Sequence, residues 1–199
     1  MSNDVLDSEG NLEAPTTMDA MRGSILIVAI KWLRAQGLEK AYLAALPAHA
    51  RQVLLAADVS MWIPMDITLI HYAALDGLGL TVEQRIEYGA SVSRSVNGVV
   101  LSTVARLAGS VGLSPFTPLS RSAKLFARGY RGGAVAAIKT GPSEARFEVL
   151  GCPIAHSACF RDNIAGALLD GSRPFAPHVT VSEILARRTP TSYAFRVRW

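Results

Sequence analysis

The stretch Tyr193–Trp199 constrains the fold of this chain more than any other part of the sequence. Apolar and polar side chains alternate along it. The odd-numbered positions are Tyr193, Phe195, Val197 and Trp199. The even-numbered positions are Ala194, Arg196 and Arg198. Because successive side chains of a strand point to opposite faces, this period of two predicts a sheet with one buried and one solvated face.

The last third of the chain extends this pattern and predicts two hairpins joined through one helix. The expected elements, in order, are strands Ala134–Lys139 and Arg146–Leu150, helix Ser157–Leu169, and strands Val179–Leu185 and Tyr193–Trp199. The turn-forming residues Thr140–Ser143 separate the first two strands. This β-β-α-β-β order predicts a four-stranded antiparallel sheet whose buried face holds Phe147, Val149, Phe195 and Val197.

The preceding part of the chain has helical spacing of its apolar residues. The predicted helices are Ser24–Gln36, Leu38–Leu46, Ala48–Ala57, Met65–Leu75, Glu83–Gly109 and Leu119–Tyr130. Helices first and strands last indicate the α+β class. We therefore expect an N-terminal helical layer packed on the apolar face of the C-terminal four-stranded antiparallel sheet.

The middle of the predicted helix Glu83–Gly109 is unusually rich in residues with small side chains. Its small residues are Gly89, Ala90, Ser91, Ser93, Ser95 and Gly98. Small side chains let another helix or a sheet approach closely, and glycine lowers helix propensity. The pattern predicts a central helix with a close neighbour.

The chain is expected to form one domain over residues 20–199. Residues 1–19 are polar and show no sustained period, which is typical of a disordered arm. The remaining length is enough to bury a sizeable core.

The composition limits where in the cell we expect the protein and what we expect it to bind. No apolar run approaches the roughly 20 residues of a membrane span, and the acidic first residues are unlike a secretory signal, so we expect a cytoplasmic protein. The net charge of +4, from 20 basic and 16 acidic residues, is mild. It favours a solvated basic face over a nucleic-acid partner.

The order of elements, the run Tyr130–Gly133, the strand Ala145–Gly151 and the closing strand Tyr193–Trp199 together carry a family resemblance. The chain resembles an uncharacterised family abundant in myxobacterial genomes. That family is similar in layout to the 4-vinyl-reductase-type domain, the haem-nitric-oxide-binding domain and the TRAPP-type trafficking subunits. The resemblance spans roughly residues 21–199 and implies a small-molecule-binding α/β fold.

The chain departs from these families at their functional motifs. A haem-nitric-oxide-binding domain is expected to carry a proximal His on its long helix and a Tyr-x-Ser-x-Arg motif. The nearest match here is Tyr88-Gly89-Ala90-Ser91-Val92-Ser93-Arg94, whose spacing differs. Vinyl-reductase-type domains often carry cysteines near the final hairpin, whereas Arg187–Ser192 has none. We therefore expect no cofactor.

The densest polar cluster is the segment from Cys152 to Cys159, which also contains His156. These three side chains could ligate zinc with His178 as a fourth ligand, yet their spacing differs from paired CxxC knuckles. The favoured interpretation is that both cysteines are buried as small apolar side chains. The alternatives are a zinc site, a disulfide or a reactive thiol. His71, set among apolar residues in a predicted helix, is typical of a core histidine.

We expect a non-enzymatic domain that binds an apolar small molecule in a sensory or regulatory role, because the sequence offers no phosphate loop, G-x-S-x-G elbow or nucleophile–base pair. The alternative is a protein-interaction module that acts as a homodimer or with a partner protein, without ligand. The pocket is expected where helix Glu83–Gly109 faces the sheet. The pocket candidates are Tyr88, Ser93, Asn97, Phe126 and Tyr130.

Overall fold

The computed structural model describes residues 16–111 and 114–199, without the side chains of 97–111. The helices are α1 (Gly23–Ala35), α2 (Glu39–Ala45), α3 (Ala48–Leu55), α4 (Met65–Asp76), α5 (Val82–Val111), α6 (Phe116–Leu119), α7 (Ser122–Gly129) and α8 (Ala158–Ser172). The strands are β1 (Ala20–Arg22), β2 (Trp62–Pro64), β3 (Tyr130–Arg131), β4 (Ala134–Gly141), β5 (Glu144–Leu150), β6 (Thr180–Glu183) and β7 (Tyr193–Arg198).

The C-terminal strands form the four-stranded antiparallel sheet that the sequence predicts, in the order β4-β5-β7-β6. Phe147 pairs with Phe195 across β5 and β7, and Ala145 pairs with Val197. The predicted buried residues Phe147, Val149, Phe195 and Val197 are all buried. The α+β prediction is confirmed, and the period of two along β7 is the pattern that produces this buried face.

A second, three-stranded sheet has the order β2-β1-β3 and was not predicted. Its strands have two or three residues each, which is too short for a period of two to show in the sequence. The segment Trp62–Pro64, which no predicted element included, forms β2, and α4 follows it directly from Met65, where a helix was predicted.

The last residues of the predicted arm are packed against this small sheet. Met18 is buried, and its N–H donates to Gly151 O at 2.7 Å. The N–H of Asp19 donates to Arg131 O at 2.9 Å. Residues 1–15 lie outside the described part of the chain, so a disordered arm stays a prediction for them.

The segment of α5 that is rich in small side chains packs against α8. A Cβ atom on Gly89 would overlap the backbone carbonyl of Asn163, and one on Gly166 would overlap the carbonyl oxygen of Ile86. Two ion pairs link the same helices, Arg85–Asp162 at 2.6 Å and Arg94–Asp170 at 3.0 Å. The close neighbour expected for the long helix is therefore another helix.

None of the helices in the described ranges combines the length and the apolar character needed to cross a membrane.

Candidate ligand cavity

A cavity of about 120 Å³ lies between α5, α8 and the short helices α6 and α7. Its walls are mostly apolar. The apolar side chains include Val92 and Val96 from α5, Leu125 and Phe126 from α7, Ile164 and Leu168 from α8, and Phe147 from β5. Helical spacing of three or four residues puts each helix's contribution on one face. The four-stranded sheet contributes Phe147 to the described lining, so the cavity lies mainly among helices.

Two buried polar groups in this wall have no hydrogen-bond partner among the described residues. Asn163 is 2% exposed and Ser172 is 0% exposed, and both line the cavity. The unpartnered atoms are Asn163 Nδ2 and Ser172 Oγ. A buried polar atom left without a partner costs about 1–3 kcal/mol.

Tyr130 lines the cavity, and its hydroxyl is uncharged. Its ring stacks on Phe126 with centroids 4.8 Å apart, and its hydroxyl lies 3.1 Å from the hydroxyl of Tyr72. Burial raises the pKa of Tyr130, so its phenol keeps its proton. This side chain therefore offers a ligand an aromatic surface and no negative charge.

The structure brings together three of the five predicted pocket residues. Ser93, Phe126 and Tyr130 all line the cavity. Tyr88 is buried elsewhere in the core, with its ring centroid 5.4 Å from that of Trp32, and it does not appear in the cavity wall. The side chain of Asn97 lies outside the described residues. That any of them contacts a ligand stays a prediction.

Sequence reasoning missed the contribution of α8 to the cavity. Asn163 lies in a helix that was read only as a connection between two hairpins. The available signal was an amide among apolar neighbours, since Phe160, Ile164 and Leu168 share its helix. A buried amide needs hydrogen-bond partners, and Asn163 Nδ2 has none among the described residues.

The three zinc candidates do not form a cluster. Cys152 and Cys159 are free and buried, and burial raises the pKa of each thiol to about 12. His156 is exposed, and its Nδ1 lies 2.9 Å from Pro153 O. Over residues 16–111 and 114–199, no three His, Cys, Asp or Glu side chains are grouped as metal ligands.

His71 is buried in α4, away from the cavity wall. A hydrogen bond of 2.7 Å joins its Nδ1 to Tyr42 Oη, whereas its Nε2 has no partner among the described residues. Burial lowers the pKa of His71 to about 3. The imidazole is therefore neutral in the folded protein, as the prediction of a core histidine implies.

The fold is that of the H-NOX domains, which bind haem and nitric oxide or oxygen. An oxygen-binding H-NOX domain related to soluble guanylate cyclases superposes with a TM-score of 0.58 at 15% identity, over 89% of this chain and 94% of that one. An H-NOX variant from T. tengcongensis gives 0.58 at 15%, over 89% and 97%. An Fe(II) unliganded H-NOX variant from K. algicida gives 0.64 at 11%, over 89% and 96%.

These likenesses concern the fold alone, because the identities are low. No protein-family model and no curated protein sequence matches the chain. The predicted likeness to the haem-nitric-oxide-binding layout is confirmed at the level of fold. The likeness to the other families remains a prediction.

Proposed function

We propose that this chain is a small-molecule-binding sensory domain with an H-NOX-type fold, and that its cavity takes an uncharged, mostly apolar molecule in place of haem. The observation that carries the proposal is the apolar cavity among α5, α6, α7 and α8, whose described lining includes Asn163, a buried side chain with an unpartnered amide nitrogen. Ligand sites are typically apolar with a few polar groups that fix orientation.

The residues present do not fit a haem group. Helix α5 contains no histidine at any position, and the four histidines of the chain lie at 49, 71, 156 and 178. The described lining holds no His, Cys or Met, and the sequence of 97–113 adds none. The phenol of the described wall is Tyr130, and its buried hydroxyl lies 3.1 Å from the hydroxyl of Tyr72. The described wall therefore offers no histidine, cysteine or methionine as an axial ligand.

The size of the cavity agrees with a compact ligand. Its volume of about 120 Å³ is close to that of an engineered apolar cavity of about 150 Å³ that binds benzene. Drug-sized molecules occupy pockets of about 300–1,000 Å³. A molecule with few heavy atoms fits the space as it stands.

A sensory role is supported by the number of elements that meet at the cavity. Ile25 from α1, Leu119 from α6 and Phe147 from β5 line it together with residues of α5, α7 and α8. A ligand in the cavity would therefore contact both the helical layer and the sheet. Interaction free energy that differs between two packings is what allows a ligand to shift a conformational equilibrium.

Thermal unfolding in the presence of toluene tests the proposal. We expect the Tm of the full chain to rise by a few degrees when toluene exceeds its Kd about tenfold. Ser93→Phe fills the cavity and should abolish the rise. Ser95→Phe places the same side chain on an exposed position of the same helix and should leave it intact.

A wild-type chain that shows no rise with toluene, or an equal rise in Ser93→Phe, would overturn the proposal. The predicted homodimeric interaction module remains the alternative. Native mass spectrometry of the same preparation tests it, since a ligand-free dimer would favour that alternative.

A further inference from the structure

The outer face of the four-stranded sheet, opposite the buried face, is lined with charged side chains. Strand residues alternate between the two faces, which puts every second residue of β5 and β7 on the outer side. The charged ones are Glu144, Arg146, Glu148, Arg196 and Arg198. Arg146 and Arg196 are directly opposite each other across the two strands, and like charges in such positions repel. The glutamates on either side of Arg146 offset this repulsion.

Glu148 holds two guanidinium groups against this face. Its Oε1 accepts hydrogen bonds from Arg146 Nε at 2.7 Å and from Arg187 Nη1 at 2.8 Å. Arg187 comes from the segment between β6 and β7. A cavity of about 320 Å³ lies beside these groups, and its wall includes Glu148, Leu150 and Arg187. The outer face is therefore concave near the end of β5.

Glu144 holds a second pair of guanidinium groups. Its Oε2 accepts a hydrogen bond from Arg198 Nε at 2.7 Å, and its Oε1 lies 3.6 Å from Arg196 Nε. The side chains of Glu148 and Glu144 are 8% and 29% exposed. The side chains of Arg187, Arg196 and Arg198 are 45% to 59% exposed. The groups most accessible to solvent are therefore guanidinium groups, held in place by less exposed carboxylates.

These six side chains form an arginine face with a net charge of +2, since it contains four arginines and two glutamates. Guanidinium groups that are already oriented offer their remaining N–H donors to carboxylate oxygens in a well-matched geometry. The arginine face therefore suits a segment that is rich in Asp and Glu.

Residues 1–15 have the matching composition. They contain four acidic residues and no Lys, Arg or His. The acidic residues are Asp4, Asp7, Glu9 and Glu13. A segment of this composition cannot bury a core of its own, and binding through charge requires none.

The end of this segment lies beside the end of β5. The N–H of Gly133 donates to Thr16 O at 2.7 Å, and the N–H of Met18 donates to Gly151 O at 2.7 Å. Gly151 directly follows β5. Residue 15 is therefore joined to the sheet at the concave end of the arginine face.

The spacing of the acidic residues matches the spacing of the arginine face. Glu148 and Glu144 lie three and seven positions before Gly151, which is about 10 Å and 24 Å along a strand. Glu13 and Glu9 lie three and seven positions before Thr16, so an extended segment reaches the same two distances.

We propose that residues 1–15 dock on the arginine face along β5, with Glu13 at the guanidinium groups around Glu148 and Glu9 at those around Glu144. Each exposed ion pair contributes little, and the covalent connection supplies the high local concentration that makes weak pairs count. Docking is therefore sensitive to salt. The docked segment covers the surface that an acidic segment of a partner protein would otherwise contact. This proposal is independent of the ligand of the cavity.

A nitroxide spin label on Asn11→Cys in the full chain tests the docking by NMR. Cys152 and Cys159 are buried, so the label attaches to the introduced thiol. We expect the amide signals of Arg146 and Arg196 to broaden at low salt. The broadening should disappear at 1 M NaCl, where the Debye length is about 3 Å.

Removing the acidic groups should release the segment. In the labelled chain, Glu9→Gln together with Glu13→Gln should lower the ratio of docked to released segment about fivefold, because two exposed ion-pair contacts are lost. The paramagnetic relaxation rates of the β5 and β7 amides measure this ratio.

Removing the basic groups should have the same effect at the arginine face alone. Arg187→Gln together with Arg198→Gln should also lower the ratio about fivefold. Lys124→Gln together with Arg128→Gln removes two exposed charges of α7 instead and is the matched control. The control should leave the broadening of β5 and β7 unchanged.

Three results would overturn the proposal. The first is the absence of broadening on β5 and β7 at low salt. The second is broadening that survives the loss of Glu9 and Glu13, or that is lost equally in the α7 control. The third comes from mixing isotope-labelled chains without nitroxide with nitroxide-labelled chains without isotope. Broadening of equal size in that mixture would show that the segment binds a second copy instead of its own sheet.

Discussion

Burial of the His71 side chain makes the free energy of unfolding depend on pH. Its ring is fully buried, and burial lowers its pKa from 6.5 to about 3. In the unfolded chain the same imidazole titrates near its ordinary pKa. Between these two values the unfolded state binds one proton more than the folded state, so the free energy of unfolding falls as pH decreases. Above the ordinary pKa this contribution is fully present.

Replacing this histidine should remove that part of the pH dependence. Between about pH 6 and pH 3, His71 should contribute a slope of up to about 1.4 kcal/mol per pH unit, and His71→Gln should lack it. Urea unfolding at a series of pH values measures the difference between the two proteins. His156→Gln, at an exposed ring, is the control and should keep the wild-type slope. An unchanged slope in His71→Gln would show that His71 is not held neutral.

Single residues also show which features of the structure could not be predicted from the sequence. The apolar neighbours of His71 were enough to predict its burial, because helical spacing puts them on its own face. The partner Tyr42 lies 29 positions away, and no local pattern relates the two. Asn163 was missed for the same reason. Whether an amide in a helix faces solvent, a partner or a cavity depends on elements that are distant in sequence.

At the scale of elements, the contact between α5 and α8 depends on two glycines. Gly89→Ala and Gly166→Ala each place a Cβ atom against the backbone of the opposite helix, which cannot move aside as a flexible side chain could. We expect each to lower the free energy of unfolding by about 1–3 kcal/mol or more. Denaturant unfolding measures this loss.

The matched control for this contact is Gly77→Ala. A Cβ atom there would meet its nearest neighbour at an ordinary contact distance of 3.5 Å, and the backbone is not in the left-handed region. This variant should change stability by less than about 1 kcal/mol. Equal losses in all three variants would contradict the account of the helix contact.

The strand β7 lies between β5 and β6 and supplies the centre of the sheet's buried face. Phe195 is buried and packs edge to face on Tyr193, with ring centroids 5.5 Å apart. Phe195→Ala should cost about 3–5 kcal/mol in unfolding free energy. Arg196→Ala, on the solvated face of the same strand, should cost less than about 1 kcal/mol. A small loss for Phe195→Ala would mean that this face is not the core.

Elements with a long, regular pattern were predictable, and short or shared ones were not. The sheet and α5 followed from periodicity. Strands β1, β2 and β3 form only because the chain start, the segment before α4 and the end of α7 meet in space. The small residues of α5 predicted a close approach without showing that α8 is the neighbour, since its glycine, Gly166, lies far along the chain.

At the scale of the whole molecule, the chain has the fold of the H-NOX domains, and the described wall of its cavity contains no His, Cys or Met. The three solved structures compared above share 11% to 15% identity with this chain, so the fold depends on patterns of burial that many sequences satisfy. Function depends on particular side chains in a site, and sites differ among proteins of one fold. The proposed function therefore assigns to this cavity a ligand other than haem.

The absorption spectrum of the chain after haem reconstitution and gel filtration tests this account most directly. An oxygen-binding H-NOX domain carried through the same procedure serves as the positive control. The account predicts that haem separates from this chain and that the protein fraction shows no band of ligated haem. Stoichiometric haem that elutes with the chain, with the spectrum of a protein-ligated iron that is lost in His71→Gln, would contradict it.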